Sequence, residues 1–282
     1  MSSQRFANRL VRAILAASPE TLGGRARLKA LIALRRALVR TWDPLLTWRI
    51  GDADLLLPLS HELPFYRHDH PLYDRPIGVV AAEVGGPVVD VGANVGDTAA
   101  EIRSRTGVPI LCIEGDDRFF ALLAENAPRL GGVELEHAFV DAPRNARVER
   151  GAGTVRLVRP SNSLLQGREA LRSKPLARIL EEHPAFREPA LLKLDTDGMD
   201  VPIVLANLDL LAHARPVLFF EYDPHLGATP DVFERLREIG YRRLDVYENT
   251  GELAQSVDLP GAIHDEYTGH AGARYADVCI WP

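Results

Sequence analysis

The chain has 282 residues, 46% of them hydrophobic, enough for one large α/β domain with an accessory segment and too few for two catalytic domains. Its two cysteines, Cys112 and Cys279, are too sparse for a disulfide scaffold or a zinc site, and no run approaches the ~20 apolar residues of a membrane span or has the pattern of a secretory signal. Residues 1–50 hold ten basic against two acidic side chains, a balance of +8, so a chain of net charge −6 leaves −14 on residues 51–282, which disfavours a nucleic-acid groove there.

In chain order, Phe6, Leu10, Val11, Ile14 and Leu15 recur at helical spacing over residues 4–17. A second basic helix is expected over 25–40, with Leu28, Leu31, Ile32 and Leu38 as its apolar stripe. Residues 1–50 therefore read as a basic helical extension. It suits a cap on the domain or a homodimer contact, or alternatively a peripheral contact with an anionic inner-membrane surface; a transit peptide fits least. Residues 51–282 read as the catalytic domain of a cytoplasmic protein.

Residues 50–58 suggest a strand or hairpin arm. A polar and aromatic loop follows over 60–74, where His61, His68 and His70 match no zinc spacing and read better as cofactor or substrate lining. From residue 87 the pattern alternates. Apolar runs at 87–91, 109–113, 133–140, 190–194 and 217–220 read as parallel strands covered on both faces, with helices at 98–105, 118–126 and 230–239. Strands at 242–247 and 275–281 complete a doubly wound, Rossmann-like sheet of seven strands, suited to the class I methyltransferase arrangement through its terminal antiparallel pair.

The chemistry collects at the carboxyl ends of these strands. Asp90 runs into Gly92-Ala93-Asn94-Val95-Gly96-Asp97, small residues where backbone passes close to a ligand before a helix. A dinucleotide turn would need glycine where this chain has Asn94. S-adenosyl-L-methionine fits better: Asp90 and Asp97 suit its cationic amino end, and the N–H groups near Gly92 suit its carboxylate. Glu114, followed by Gly115, stands where a carboxylate accepts from ribose hydroxyls. Asp141, followed by Ala142, stands where an acid accepts from the adenine amino group.

The fourth and fifth strands end in Lys193-Leu194-Asp195-Thr196-Asp197 and Glu221-Tyr222-Asp223-Pro224-His225. Asp195, Asp197, Glu221 and His225 are candidates for the base and its orienter, with Lys193 as a positioning charge. Two other readings stay open: a magnesium ion on Asp195, Asp197 and Glu221 or Asp223, or a structural ion pair made by Lys193. Ser161-Asn162-Ser163 reads as a turn or as a polar tip reaching toward the ligand.

Over about residues 60–282 the chain resembles the FkbM-type methyltransferases, through VVDVGANVGDT at 88–98, LCIEGD at 111–116, LLKLDTDGMD at 191–200 and LFFEYDP at 218–224. The resemblance implies O-methylation of a saccharide, glycolipid or polyketide hydroxyl. It places Asp90, Gly92, Asn94, Gly96 and Glu114 on the cofactor and Lys193, Asp195 and Asp197 beside the acceptor. Asp197 and Asp200 stand where such proteins typically carry Glu, and Gly115 where they commonly carry Pro. A catalytically idle fold docking to a membrane or an assembly complex is the reading from another class.

Overall fold

The computed structural model describes residues 3–143, 146–151, 153–158, 171–226, 228–229, 231–259 and 276–282. Its centre is an eight-stranded sheet in the order β5-β4-β3-β10-β11-β14-β12-β13. The parallel members are β3 (Val88–Val91), β4 (Ile110–Glu114), β5 (Val133–His137), β10 (Leu191–Leu194) and β11 (Val217–Tyr222). The antiparallel members are β14 (Ala276–Trp281) inserted beside β11, then β12 (Arg243–Glu248) and β13 (Leu253–Asp258). Seven of the eight strands are the ones the sequence predicts, with the terminal antiparallel pair at one side. The eighth, β13, is largely exposed at the edge and lacks the apolar run by which the others are read.

Because side chains alternate across a strand, the sheet divides its apolar residues into two cores. Val88, Ile110, Cys112, Leu191, Val217, Phe219 and Cys279 join one; Val89, Val91, Leu111, Ile113, Leu192, Leu194, Leu218, Phe220, Val278 and Ile280 join the other. The first core is covered by α1 (Ser3–Leu15), the hairpin of β1 (Leu45–Ile50) and β2 (Ala53–Pro58), α3 (Leu63–Asp69), α4 (Arg75–Val84), α5 (Asp97–Arg103) and α6 (Asp117–Leu130). The second is covered by α7 (Leu176–Glu182), α8 (Asp200–Ala206), α9 (Leu208–Ala214) and α10 (Asp231–Glu238).

Three local expectations change. Residues 60–74 are not simply a loop: Pro64 opens α3, since a residue without an N–H loses nothing in a helix's first turn. The run at 133–140 is two strands, because the chain leaves the sheet at Ala138 and β6 (Phe139–Val140) pairs with β9 (Ser173–Lys174) instead. Ahead of β9, an antiparallel hairpin of β7 (Arg147–Arg150) and β8 (Val155–Val158) rises beside the carboxyl edge. The second basic helix is α2 (Leu22–Thr41), with Thr21 accepting from Gly24 N–H as its N-cap. Ser161, Asn162 and Ser163 lie outside the described residues.

Candidate active site

The pairing register builds the floor of the site. Asp90 of β3 lies opposite Lys193 of β10, which lies opposite Phe219 of β11, and Glu221, two residues further along β11, lies opposite Asp277 of β14. All four ionisable residues alternate onto the face of the first core, so a two-residue period and the register together set acids and one lysine in a row at the carboxyl edge.

Lys193 anchors that row. Its Nζ is 3.0 Å from Asp90 Oδ1 and 3.4 Å from Asp195 Oδ2, and only 5% of the residue is exposed. Burial alone would lower the ammonium, but Asp90 and Asp195 hold it above its usual value, so it stays charged. Asp90 is fully buried beneath it and, among the described residues, its carboxylate has no partner besides this ion pair. Removing either partner would leave an uncompensated buried charge.

Around Lys193 the carboxylates crowd one another. Burial first, then Asp195 and Asp200, raise Glu221 to about 9; burial and Asp195 raise Asp277 to about 7. Burial and the neighbouring Asp195 also lift Asp197 to about 7. Asp200, raised to about 6 by burial, ties down its own turn: Thr196 N–H and Oγ1–H, at 3.3 and 2.8 Å, and Gly198 N–H, at 3.3 Å, all donate to its carboxylate.

The glycine turn after β3 has equally firm constraints. Gly92 has φ +81°, and a Cβ there would stand 1.8 Å from Asp195 O, so only glycine lets the turns after β3 and β10 touch. The N–H groups of Gly92 and Ala93 both donate to Ile113 O, at 2.9 and 3.0 Å, which commits them to the fold rather than to a ligand carboxylate. Gly96 serves packing: a Cβ would stand 2.8 Å from Leu130 and 3.1 Å from Leu123. Glu114, 6% exposed, accepts from Asn94 N–H at 2.8 Å and Asp116 N–H at 2.7 Å. Burial lifts it to about 7 despite those bonds.

Asn94 is the knot of the turn. Its Nδ2 donates to Gly153 O at 2.7 Å, at the tip of the β7–β8 hairpin, and its Oδ1 faces His61 Nε2 at 3.3 Å. Leu63 N–H donates to His61 Nδ1 at 3.2 Å, so the ring proton resides on Nε2 and points at Asn94. Burial lowers the His61 pKa and keeps the imidazole neutral. A second tether holds the same hairpin, from Arg150 Nε to Asp116 Oδ2 at 2.6 Å.

These groups surround a cavity of about 300 Å³. Gly92, Asn94, Asp97, Glu114, Gly115, Lys193, Asp195, Asp197 and Glu221 line it, as the motifs suggest. Ala93, Gly96, Asp90, Asp141, Ala142 and His225 do not. Asp141 instead accepts from Asn207 Nδ2 at 2.8 Å, Ala142 is buried with its carbonyl accepting from Ser173 Oγ at 3.0 Å, and His225 sits exposed on a short turn after β11. Of the three early histidines only His61 reaches the lining.

Other lining residues carry weaker sequence signals. Asp277 is the lone acid in an otherwise apolar strand, a mark that could have found it. Phe139 covers Gly115, where a Cβ would stand 2.2 Å from the ring. Tyr66 and Tyr73 meet edge to face at 4.6 Å, and Asp74 with burial pushes the Tyr73 phenol well above its usual range. Only folding of α3 against the cavity reveals these two. Among the described residues no group of three or more His, Cys, Asp and Glu is arranged to hold a metal ion.

No protein-family model matches the sequence, and no curated protein matches it. Solved structures do. The METTL16 methyltransferase domain is 13% identical, covers 99% of this chain and 92% of its own, and superposes with a TM-score of 0.51. The methyltransferase FkbM from Methylobacillus flagellatus KT is 11% identical over 97% of this chain, with a TM-score of 0.42, and this chain spans only 58% of its length. Fibrillarin from Aeropyrum pernix, solved with natively bound S-adenosyl-L-methionine, is 12% identical over 85% of this chain and 83% of its own, with a TM-score of 0.41. At 13% identity the METTL16 superposition shows the fold alone, a class I Rossmann-like fold.

Proposed function

We propose that the protein is an S-adenosyl-L-methionine-dependent O-methyltransferase of the FkbM type acting on a hydroxyl of a saccharide or glycolipid intermediate in the cytoplasm. The observation that carries this reading is the composition of the crevice at the switch point, where β3 is flanked by β4 on one side and β10 on the other. Ile113, Phe139, Val140, Leu157 and Ile203 line it together with Glu114, a set that suits a purine and a ribose diol. Asp97 and Asp195 supply negative charge for a cationic amino acid end. Bound there, the cofactor supplies an electrophilic methyl group.

Tyr66, Tyr73, Phe219 and Asn249 line the crevice as well, together with Glu221 and Asp277. Aromatic faces beside hydrogen-bonding carboxylates suit a saccharide better than a flat apolar polyketide. At neutral pH Glu221 holds its proton while Asp277, near 7, is poised to take one from the acceptor hydroxyl. Lys193 holds Asp195 and Asp90 in place throughout.

Calorimetric titration with S-adenosyl-L-methionine tests the first half, and a folded sample that takes up none of it sinks the proposal. An acceptor panel of saccharides and phenols, followed by release of S-adenosylhomocysteine, tests the second; turnover confined to phenols would move the acceptor class.

A further inference from the structure

The outer face of α2 takes no part in the crevice. Half-buried Leu28, Leu31, Ile32, Leu38 and Val39 rest this 20-residue helix on the body, yet none of its residues is fully buried. Arg35 belongs to the same inner side: its Nε and Nη2 donate to Leu59 O and Ser60 O at 3.0 and 3.2 Å, and Nη2 reaches Glu62 Oε1 at 2.9 Å.

At about 100° per residue, Arg25, Lys29, Arg36 and Arg40 fall within an arc of roughly 60° on one flank. Arg27 marks the other flank. Between them the exposed arc is Ala26, Ala30, Ala33, Leu34 and Ala37, with no acid anywhere in the helix. Arg27, Lys29, Arg36 and Arg40 make no ion pair among the described residues. Two large apolar side chains stand out at the ends, Leu22 at 84% and Trp42 at 60% exposure, with Leu34 at 41% between them.

We infer that this face of α2 docks onto an anionic lipid bilayer. A shallow apolar arc with a row of four cations on one flank and Arg27 on the other, and an exposed tryptophan just past the helix end, is what a helix lying in the headgroup plane presents. Charge selects the occupant. A second copy meeting this face symmetrically would bring five cations against five, whereas a surface of anionic headgroups neutralises them at about fivefold in partitioning per cation. The inner side stays engaged by the body, so docking requires no unfolding. The surface is independent of the methyl-transfer reading, and its test does not call on catalysis.

Co-sedimentation of the full chain with phosphatidylglycerol–phosphatidylcholine vesicles, and with phosphatidylcholine alone, is the experiment. Binding to the first and not the second is expected, with partitioning on the order of several hundredfold weaker in R25Q/K29Q/R36Q/R40Q at low salt. Trp42→Ser should weaken binding without altering its dependence on salt. Unchanged thermal unfolding of both variants shows that the fold survives, because every altered side chain is exposed. Equal binding to both vesicles, no binding to either, or full binding by the quadruple variant overturns the inference. So does a stable dimer in sedimentation equilibrium that Leu34→Arg dissociates.

Discussion

Asn94 does more than shape a turn. Its backbone N–H serves Glu114, its amide N–H holds the β7–β8 hairpin through Gly153 O, and its carbonyl oxygen receives the His61 proton. Asn94→Asp keeps shape but turns a carboxylate toward the Gly153 carbonyl, leaving that acceptor unpaired at a cost of about 1–3 kcal/mol. We expect a lower unfolding midpoint and weaker cofactor binding, by differential scanning and by titration calorimetry; unchanged affinity would show the hairpin tether to be irrelevant to the site. Glu221→Gln tests the acid row. With the native Glu221 raised to about 9 from an ordinary 4.5, the unfolded chain binds fewer protons than the folded one across that window, so the wild type loses stability as pH rises through it. The Gln variant lacks this loss. Its advantage in denaturant midpoint should therefore grow between pH 5 and about 9 and level off above.

At the scale of elements, the site depends on two turns that touch. Gly92→Ala would drive a Cβ into Asp195 O and strain a φ of +81°, so the turns after β3 and β10 would have to separate. A loss of at least about 2 kcal/mol in chemical denaturation is expected, together with cofactor binding. Gly96→Ala strains a φ of +90° in the same way but meets the movable ends of Leu123 and Leu130 rather than backbone, so it should lose stability while binding cofactor better than Gly92→Ala. Much of this scale was legible in the sequence: β3, β4, β10 and β11 are short apolar runs ending in acids, a pattern that a doubly covered parallel strand imposes on its own residues. α3 and the separate β6 were not, because Pro64 is compatible with either loop or helix start and Ala138 differs in no local preference from its neighbours. Where the chain leaves the sheet is set by the pairing of β6 with β9, more than thirty residues downstream.

At the scale of the whole molecule, the cavity is an acidic well in an acidic body. Its lining sets Asp74, Asp97, Glu114, Asp195, Asp197, Glu221 and Asp277 against Lys193. A cationic ligand lowers the raised carboxyls and releases their protons, so its affinity should rise from pH 6 to about 9. Titration calorimetry in buffers of different ionisation enthalpy should show net proton release near pH 7; proton uptake would contradict this account of the well. The basic α2 stands apart from that field: it carries no acid, and none of its residues lines the cavity.

Local order and the identity of the glycine turn follow from the sequence alone, since apolar period and turn chemistry act over a few neighbouring residues. The same is true of the charge division between residues 1–50 and the rest. Only the tertiary structure decided which acids share a site. Asp277 faces Glu221 because β14 runs antiparallel beside β11 in one particular register, and His61 faces Asn94 because the segment after β2 returns to the first core. Asp141 ends a strand-like run yet turns to Asn207, and His225 closes a motif rich in ionisable groups yet is not among the residues that line the crevice. Contacts between residues far apart in the chain depend on pairing and packing, and no short window of sequence carries them.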